Sequence, residues 1–397
     1  MSKNENKKSK IAILTASNFP YGGAGASFLR QLAKGLINNN SKVEIIRFWG
    51  ERNFIPNDTG IPHSNYLFKR PFKREFFKFL ELFIQIIYIP FFIAYRKLFK
   101  NDKVLILYCV ERAYFVVPIM LWCKIFRISC FRIVAEIWPK NLIAPYWWRR
   151  PNIFFYNLQL RKFDKYLNGV IVLSKYIYDV CIKNGLSSKQ LLLVPHFIDL
   201  HINKKVEDKV NNTFRIGFAG NPSFENGIID LLIAFNNINK MSASNFELVI
   251  MGEITKKVKD QIDESDLISA NLILTGLLSK DEVEHQLVNC DVLINPRCMG
   301  LLADSGFPTK LGEYFATKNP VISTRVGDLN EYFTDKKELI FATPNNPQSI
   351  SDAILYVYNN IEESKIIGIN GFKWAADNLD FNKNGKKVIS FIEEIIN

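Results

Sequence analysis

Residues 306–316 carry side chains that could bind a phosphorylated nucleotide, in the order Gly-Phe-Pro-Thr-Lys-Leu-Gly-Glu-Tyr-Phe-Ala. We expect a helix to begin at Thr309, so that its first N–H groups and the ammonium group of Lys310 favour a phosphate. Glu313 follows Thr309 by one helical turn on the same face, where a carboxylate can accept both hydroxyls of a ribose. The alternative is a helix with a cation near its start and a solvated glutamate. The predicted binding residues of this segment are Gly306, Phe307, Thr309, Lys310 and Glu313.

Two glycine turns elsewhere in the chain would suit the same kind of ligand. Gly22 and Gly23 lie between the first predicted strand and its helix, whereas Gly220 and Asn221 follow the strand that opens the second half. Glycine lets the backbone approach a ligand closely, and the N-terminus of the helix that follows favours anions. We predict that these four residues contact the ligand. The alternative is a pair of tight turns with a structural role only.

The carboxylate of Glu136 lies just past a predicted strand, at the edge where ligands bind in parallel sheets. At that edge a carboxylate could take the proton of an acceptor hydroxyl or stabilise a positively charged transition state. The alternative is a helix cap or one partner of an ion pair. We therefore regard Glu136 as a catalytic candidate.

The elements that must position these residues follow one pattern, in which short apolar runs alternate with amphipathic helical runs. This alternation is typical of parallel sheets covered by helices. A polar stretch at 199–213 divides the pattern into two halves, so we predict two Rossmann-like, doubly wound α/β domains facing a cleft. The predicted strands lie at residues 11–15, 43–48, 104–108, 131–135, 170–173, 191–194, 214–218, 247–251, 272–275, 292–295, 321–323 and 339–341.

Charge is divided unevenly between the two halves. The first 200 residues contain 31 Lys and Arg against 12 Asp and Glu, a net charge of +19, whereas the whole chain carries +12. We expect the first half to face something anionic, such as a membrane surface, a lipid-diphosphate acceptor or nucleic acid. Because no nucleic-acid recognition motif is present and the second half is acidic, we expect no nucleic-acid partner.

The apolar segment at 76–95 is long enough to suggest a membrane span. The polar residues that would share one helix face around it are Arg74, Lys78, Glu81 and Gln85. A span would place them in hydrocarbon, at about 2.5–3.5 kcal/mol for each central charge, and Pro90 would interrupt the helix. We predict an amphipathic helix that keeps this face wet. It either packs on the sheet or lies in a membrane interface, where peripheral binding to an anionic membrane would follow.

The six cysteines form no Cys-x-x-Cys pair and have no histidine at metal-ligand spacing. We therefore expect a reducing compartment and no structural zinc. The basic, polar N-terminus lacks the apolar core of a signal peptide, so we expect a cytoplasmic protein whose place of membrane contact would be the inner face.

The order and spacing of these motifs resemble the glycosyltransferases of family 4, also called group 1. The motifs include Pro-x-Gly-Gly, Pro-x-x-x-Asp, the second-half glycine turn, Gly-Phe-Pro-Thr-Lys-x-x-Glu-Tyr and Pro-Val-Ile, and they extend over almost the whole chain. The resemblance implies the GT-B fold and no metal cofactor, in agreement with the absence of an Asp-x-Asp motif. It also implies an acceptor-binding domain at 1–198, a linker at 199–213, a nucleotide-sugar-binding domain at 214–380 and a final helix at 381–397 that crosses back to the first domain.

Residue by residue, the match to this family is uneven. Glu313 matches the second, ribose-binding glutamate of the family's Glu-x7-Glu motif, whereas the first position is Ser305. Asp304 beside it is the candidate substitute and so the second catalytic candidate. The alternative is that this chain lacks the first carboxylate.

The family's phosphate-binding arginine and lysine also find no match, because Asn221 and Asn226 stand in their place. Phosphate charge would then fall to Lys310 and backbone amides, with help from Arg297.

The resemblance therefore implies transfer of a sugar, of hexosyl type and with retention, from a nucleotide diphosphate-sugar to a glycan or lipid-linked saccharide of the cell surface. Two alternatives stay open. One is a sugar-nucleotide epimerase on the same architecture, and the other is a catalytically degenerate nucleotide-binding protein docked on the membrane.

Overall fold

A computed structural model describes residues 10–20, 23–47, 60–65, 78–110, 112–139, 150–202, 213–241, 246–255, 258–260 and 271–397. The chain divides into two compact units. The first contains Met1–Phe197 and Phe381–Asn397, and the second contains Ile198–Asp380. Most of the predicted linker, residues 203–212, lies outside the described residues.

Strands and helices alternate along both units. The strands are β1 (Lys10–Thr15), β2 (Lys42–Arg47), β3 (His63–Asn65), β4 (Val104–Tyr108), β5 (Ser129–Val134), β6 (Gly169–Val172), β7 (Leu191–Leu193), β8 (Phe214–Ala219), β9 (Phe246–Met251), β10 (Leu272–Gly276), β11 (Val292–Asn295), β12 (Val321–Thr324) and β13 (Ile340–Ala342). The helices are α1 (Ala24–Asn38), α2 (Lys78–Leu98), α3 (Ala113–Ile125), α4 (Arg150–Leu158), α5 (Lys175–Lys183), α6 (Ile228–Met241), α7 (Lys280–Val288), α8 (Leu301–Ser305), α9 (Thr309–Ala316), α10 (Leu329–Tyr332), α11 (Pro347–Asn359), α12 (Ile361–Asn378) and α13 (Phe381–Ile396).

The first unit is built on a parallel sheet with the strand order β3-β2-β1-β4-β5-β6-β7. Alternate residues of its strands point to opposite faces, and helices cover both faces. Ile13 and Ile106 belong to the apolar core beneath α1 and α13, whereas Leu14 and Leu107 belong to the core beneath α2 and α3. This burial on both sides explains why the strands appear in the sequence as continuous apolar runs.

The sequence prediction missed strand β3. Its three residues, His63–Asn65, are all polar, and they pair with β2 at one edge of the sheet. A short polar edge strand carries no apolar pattern, so hydrophobic periodicity cannot detect it.

Helix α2 differs from the prediction in two respects. Pro90 lies inside the helix instead of interrupting it. Gln85, from the face predicted to stay wet, is 1% exposed, whereas Phe83 and Phe91 are 63% and 66% exposed. Burial of Ile93 and its neighbours against the sheet compensates for the backbone donor that proline lacks. No helix within the described ranges is both long and apolar enough to cross a membrane.

The final helix, α13, packs against α1 within the first unit. A Cβ atom built on Gly35 would lie 2.2 Å from the carbonyl oxygen of Phe381, and one built on Gly385 would lie 2.4 Å from the carbonyl carbon of Gly35. Asn384 of α13 donates a hydrogen bond of 2.7 Å to the carbonyl oxygen of His196. Close backbone contact and buried hydrogen bonding therefore make α13 a part of the first unit's core.

The second unit has a parallel sheet with the order β10-β9-β8-β11-β12-β13. Strand β8 lies between β9 and β11, so the chain proceeds to one side from β8 and later returns to its other side. Connections that leave two neighbouring strands in opposite directions open a crevice at their carboxyl ends, where ligands bind in this kind of sheet. The crevice of the second unit is therefore expected beyond the ends of β8 and β11.

Candidate functional site

The glycine turn after β8 brings bare backbone to this crevice. Gly220 follows the last residue of β8, and its N–H donates a hydrogen bond of 2.9 Å to the carbonyl oxygen of Met251 at the end of β9. Its φ angle of +122° is one that residues with a side chain rarely adopt. Gly220 is exposed, so a ligand can reach its backbone from solvent.

The hydroxyl group of Tyr314 joins α9 to the ends of the two central strands. Its oxygen accepts a hydrogen bond of 2.8 Å from the backbone N–H of Ala219, and it lies 3.4 Å from the carbonyl oxygen of Ile294. The side chain is fully buried, and burial raises the pKa of Tyr314, so the hydroxyl stays protonated. Tyr314 therefore fixes the distance between α9 and the glycine turn.

Lys310 lies in the first turn of α9 and points its ammonium group towards the glycine turn after β8. Its Nζ atom lies 4.0 Å from the centroid of the Phe218 ring and 3.5 Å from the position of a Cβ atom built on Gly220. Although part of the side chain is accessible, Nζ itself is buried and has no hydrogen-bond partner among the described residues. A buried ammonium without an acceptor is costly unless a ligand supplies one.

The electrostatics of Lys310 follow from this position. Burial, the largest cause, and the like charge of Arg297 together lower the pKa of Lys310 to about 7, against an opposing effect of Glu313. Arg297 is itself buried and donates a hydrogen bond of 3.0 Å to the carbonyl oxygen of Leu302. An anion that enters beside Gly220 would therefore meet two cations and would favour the charged form of Lys310.

The other predicted residues of this segment lie at different depths. Glu313 is exposed and follows Lys310 on α9, and Thr309 at the start of that helix is half-buried. Gly306 is buried, and the Phe307 ring, 6% exposed, stacks on Trp374 with 6.4 Å between ring centroids and an interplanar angle of 13°. Phe307 therefore holds the loop through packing, whereas Thr309 and Glu313 can meet a ligand from solvent.

Two more predicted residues belong to the second unit. Asn221 is exposed beside Gly220, and its carbonyl oxygen accepts a hydrogen bond of 2.9 Å from the side chain of Asn226. These two asparagines shape the loop and bring no charge to it. Asp304 is half-buried on the short helix α8, next to Ser305.

The remaining predicted residues belong to the first unit, where two of them are described. Gly22 lies outside the described residues. Gly23 caps α1, and no atom lies within 4 Å of a Cβ atom built on it, so space over this residue is open. Glu136 is half-buried just beyond β5, at the carboxyl edge of the first sheet. No group of three or more His, Cys, Asp or Glu side chains in the described ranges is placed to hold a metal ion.

Comparison with known proteins finds a family-model match over the larger part of the second unit. Residues 201–374 match the family model of the glycosyl transferases group 1. This segment contains the glycine turn after β8, the whole of α9 and both cations of the crevice.

Two curated relatives, both uncharacterized glycosyltransferases of Methanocaldococcus jannaschii, share parts of the sequence. One is 33% identical over 131 residues, which are 33% of this chain and 35% of the relative. The other is 18% identical over 256 residues, 62% of this chain and 63% of the relative. The matches thus span less than two thirds of each relative.

Solved structures share the fold over nearly the whole chain. HepE of Anabaena, in a complex with UDP and glucose, is 14% identical with a TM-score of 0.70 over 97% of this chain and 100% of that one. Sucrose-phosphate synthase of Thermosynechococcus elongatus is 13% identical with a TM-score of 0.73 over 98% and 99%. The predicted fold class is confirmed: the chain has the GT-B fold, with two parallel-sheet α/β domains.

Proposed function

We propose that this protein is a glycosyltransferase that moves a hexose from a nucleoside diphosphate sugar to a hydroxyl group of a glycan or lipid-linked saccharide. The observation that carries the proposal is the buried ammonium of Lys310 beside the Gly220 backbone, at the crevice of a segment that matches the group 1 family model. A diphosphate would give that ammonium the acceptors it lacks. Because HepE is described with UDP and glucose, a uridine diphosphate sugar is the first donor to test.

In this proposal Lys310, Arg297 and backbone N–H groups hold the diphosphate, and the exposed carboxylate of Glu313 binds the ribose hydroxyls. The bond between the anomeric carbon and the diphosphate breaks, and its electron pair leaves on the diphosphate. The two cations offset that charge as it develops, which is where electrostatic catalysis acts most strongly. No metal enters the proposal.

The acceptor half of the reaction is assigned to the first unit. The acceptor oxygen forms the new bond to the anomeric carbon, and Glu136 takes the hydroxyl proton. Gly23 and Gly22 let the backbone approach the donor. Asp304 stands in for the first glutamate of the family 4 motif, and the new bond forms with retention, as the resemblance to that family implies.

The proposal predicts that Glu313→Ala raises the KM for the donor, or lowers turnover, at least tenfold, equivalent to about 1.4 kcal/mol. The measurement is a thermal-shift panel of nucleoside diphosphates, followed by kinetics with the diphosphate sugar of the base that binds. Glu362→Ala is the matched control, because Glu362 is 86% exposed and lies on α12. Equal kinetics for Glu313→Ala and Glu362→Ala would remove Glu313 from the site.

The same assay separates the two rival functions. An epimerase would convert the sugar nucleotide without an acceptor, so release of the nucleoside diphosphate that depends on an acceptor excludes it. A degenerate binding protein would show the thermal shift and no turnover with any acceptor. The fold alone does not separate these activities, because one fold hosts many chemistries.

We also propose that the first unit docks on an anionic membrane through the apolar face of α2 and α3, here called the α2–α3 face. Its apolar members include Phe83, Phe91 and Leu121, which are 63%, 66% and 54% exposed. Lys124 and Arg127, both exposed, lie at the end of α3 beside it. Exposed aromatic and aliphatic side chains beside cations are typical of surfaces that enter a charged lipid interface.

Vesicle flotation tests this docking. We expect binding to vesicles that contain phosphatidylglycerol at low salt, and at least tenfold weaker binding for Phe91→Asp. Ile366→Asp is the matched control, since Ile366 is 60% exposed on α12 of the second unit. If the protein ignores these vesicles at low salt, or if both variants lose binding equally, the α2–α3 face is not a membrane surface.

A further inference from the structure

A second basic cavity lies in the first unit, away from the crevice of the second unit in sequence and in sheet. It has a volume of about 700 Å³ and is bounded by the edge strand β7, the turn that precedes it, and α13. Lys189 comes from the turn, and Lys383, Lys386 and Lys387 come from α13. The cavity thus joins two segments that are almost 200 residues apart in the chain.

The side chains that line this cavity carry a net positive charge. Four of its lining residues are lysines, and Glu394 is the one acidic residue among them. All four lysines are exposed, and Lys189, Lys386 and Lys387 form no ion pair within the described residues. The mutual repulsion of Lys189, Lys386 and Lys387 is therefore not relieved by an ion pair within the part of the chain that the structure describes.

The placement of these lysines on α13 works against the stability of the helix. Lys383 precedes Lys386 and Lys387 by three and four residues, so like charges share one face, which destabilises a helix. Lys383 lies in the first turn of α13, where a cation is unfavourable, and that turn contains no acidic residue. The like charges on one face therefore do not stabilise α13, whereas an anionic ligand would offset them.

The floor of the cavity indicates what kind of anion fits. Leu191, Leu192 and Phe391 line it together with the lysines. Buried and half-buried apolar side chains beside exposed cations suit a ligand with a phosphate group and a carbon body, rather than a bare inorganic ion. We propose that this cavity, called here the β7–α13 site, binds a phosphate ester, either soluble or as the headgroup of a lipid.

The test compares two double variants of equal net charge. K386Q/K387Q alters the β7–α13 site, and K365Q/K373Q removes two exposed lysines of α12 in the second unit. Binding of glycerol 3-phosphate and of dihexanoylphosphatidylglycerol below its micelle concentration is measured by titration calorimetry. Saturating UDP is present, so that the proposed donor site is occupied. We expect at least tenfold weaker binding for K386Q/K387Q and wild-type binding for K365Q/K373Q.

The two probes identify the source of the phosphate ester. Loss of glycerol 3-phosphate binding alone assigns a soluble ester, and loss of lipid binding, alone or with it, assigns a headgroup. Absence of binding to wild-type protein, or equal losses in both double variants, overturns the proposal. The β7–α13 site does not depend on the proposed function: if UDP fails to bind, the comparison of the two double variants still stands.

Discussion

Replacing Lys310 by methionine is expected to make the protein more stable while its affinity for a nucleoside diphosphate falls about a hundredfold, roughly 2.7 kcal/mol. Methionine has a similar length and carries no charge, so it fills the same space over Phe218 and beside Gly220 without a buried ammonium. The gain in unfolding free energy would be on the order of 3 kcal/mol near neutral pH. Denaturant unfolding and calorimetric titration with UDP measure the two effects.

The stability that Lys310→Met gains over the wild type should decrease as pH rises. In the folded protein the pKa of Lys310 is lowered to about 7, from a value of about 10.4 in an unfolded chain. Between these values the unfolded chain binds more protons, so the wild type becomes more stable as pH rises from 7 to about 10. The advantage of Lys310→Met is therefore largest at pH 7 and below, and it disappears towards pH 10.

A matched lysine separates this effect from a general loss of charge. Lys365 is 61% exposed on α12, so Lys365→Met should change stability little at any pH. A Lys310→Met variant that is less stable than the wild type at pH 6 would show that the buried ammonium does not destabilise the protein. A variant that keeps wild-type affinity for UDP would show that the ammonium does not bind the diphosphate. Gain of stability with loss of binding is the pattern expected of a residue kept for function.

Much of the fold follows from local sequence patterns. Every predicted strand is present within two residues of its predicted ends, because each contains a continuous apolar run. Most of these strands are buried on both faces, although the edge strand β10 is partly exposed. Strand β3 was not predicted, because its three polar residues form no apolar run. The orientation of α2 could not be predicted either. Periodicity shows that a helix has two faces, but what packs against each face depends on elements distant in the chain, and here Gln85 is buried.

The sequence predicts individual residues of the site, but it does not predict how the fold brings them together. Glycine after a strand, and a cation at the start of a helix, identify Gly220 and Lys310 from chemistry alone. In the fold, the Nζ atom of Lys310 lies next to Gly220 and on the ring of Phe218. This contact joins two segments about 90 residues apart in the chain, so local sequence does not reveal it. Tyr314 belongs to the same motif, but the local sequence does not indicate a partner for its hydroxyl group. Its buried hydroxyl is what holds these two segments together.

The contact between α1 and α13 predicts whether Gly35→Ala raises or lowers the free energy of unfolding. Gly35→Ala in an unobstructed helix would stabilise the protein by about 0.5–1 kcal/mol, because alanine loses less entropy on folding. Here the new Cβ atom would lie 2.2 Å from the carbonyl oxygen of Phe381, a backbone atom that cannot move aside without shifting α13. We expect the unfolding free energy to fall by about 1–3 kcal/mol instead. Denaturant unfolding measures it.

Two further variants locate the cause of that loss. Gly385→Ala should destabilise as well, and the two substitutions together should cost less than the sum of both, since either one already separates the helices. Ser390→Ala, at an exposed position of α13, should stay within about 0.5 kcal/mol of the wild type. Stabilisation by Gly35→Ala would mean that the helices can separate without loss. The final helix would then be an appendage of the first unit, and the lysines that α13 contributes to the β7–α13 site would have no fixed position.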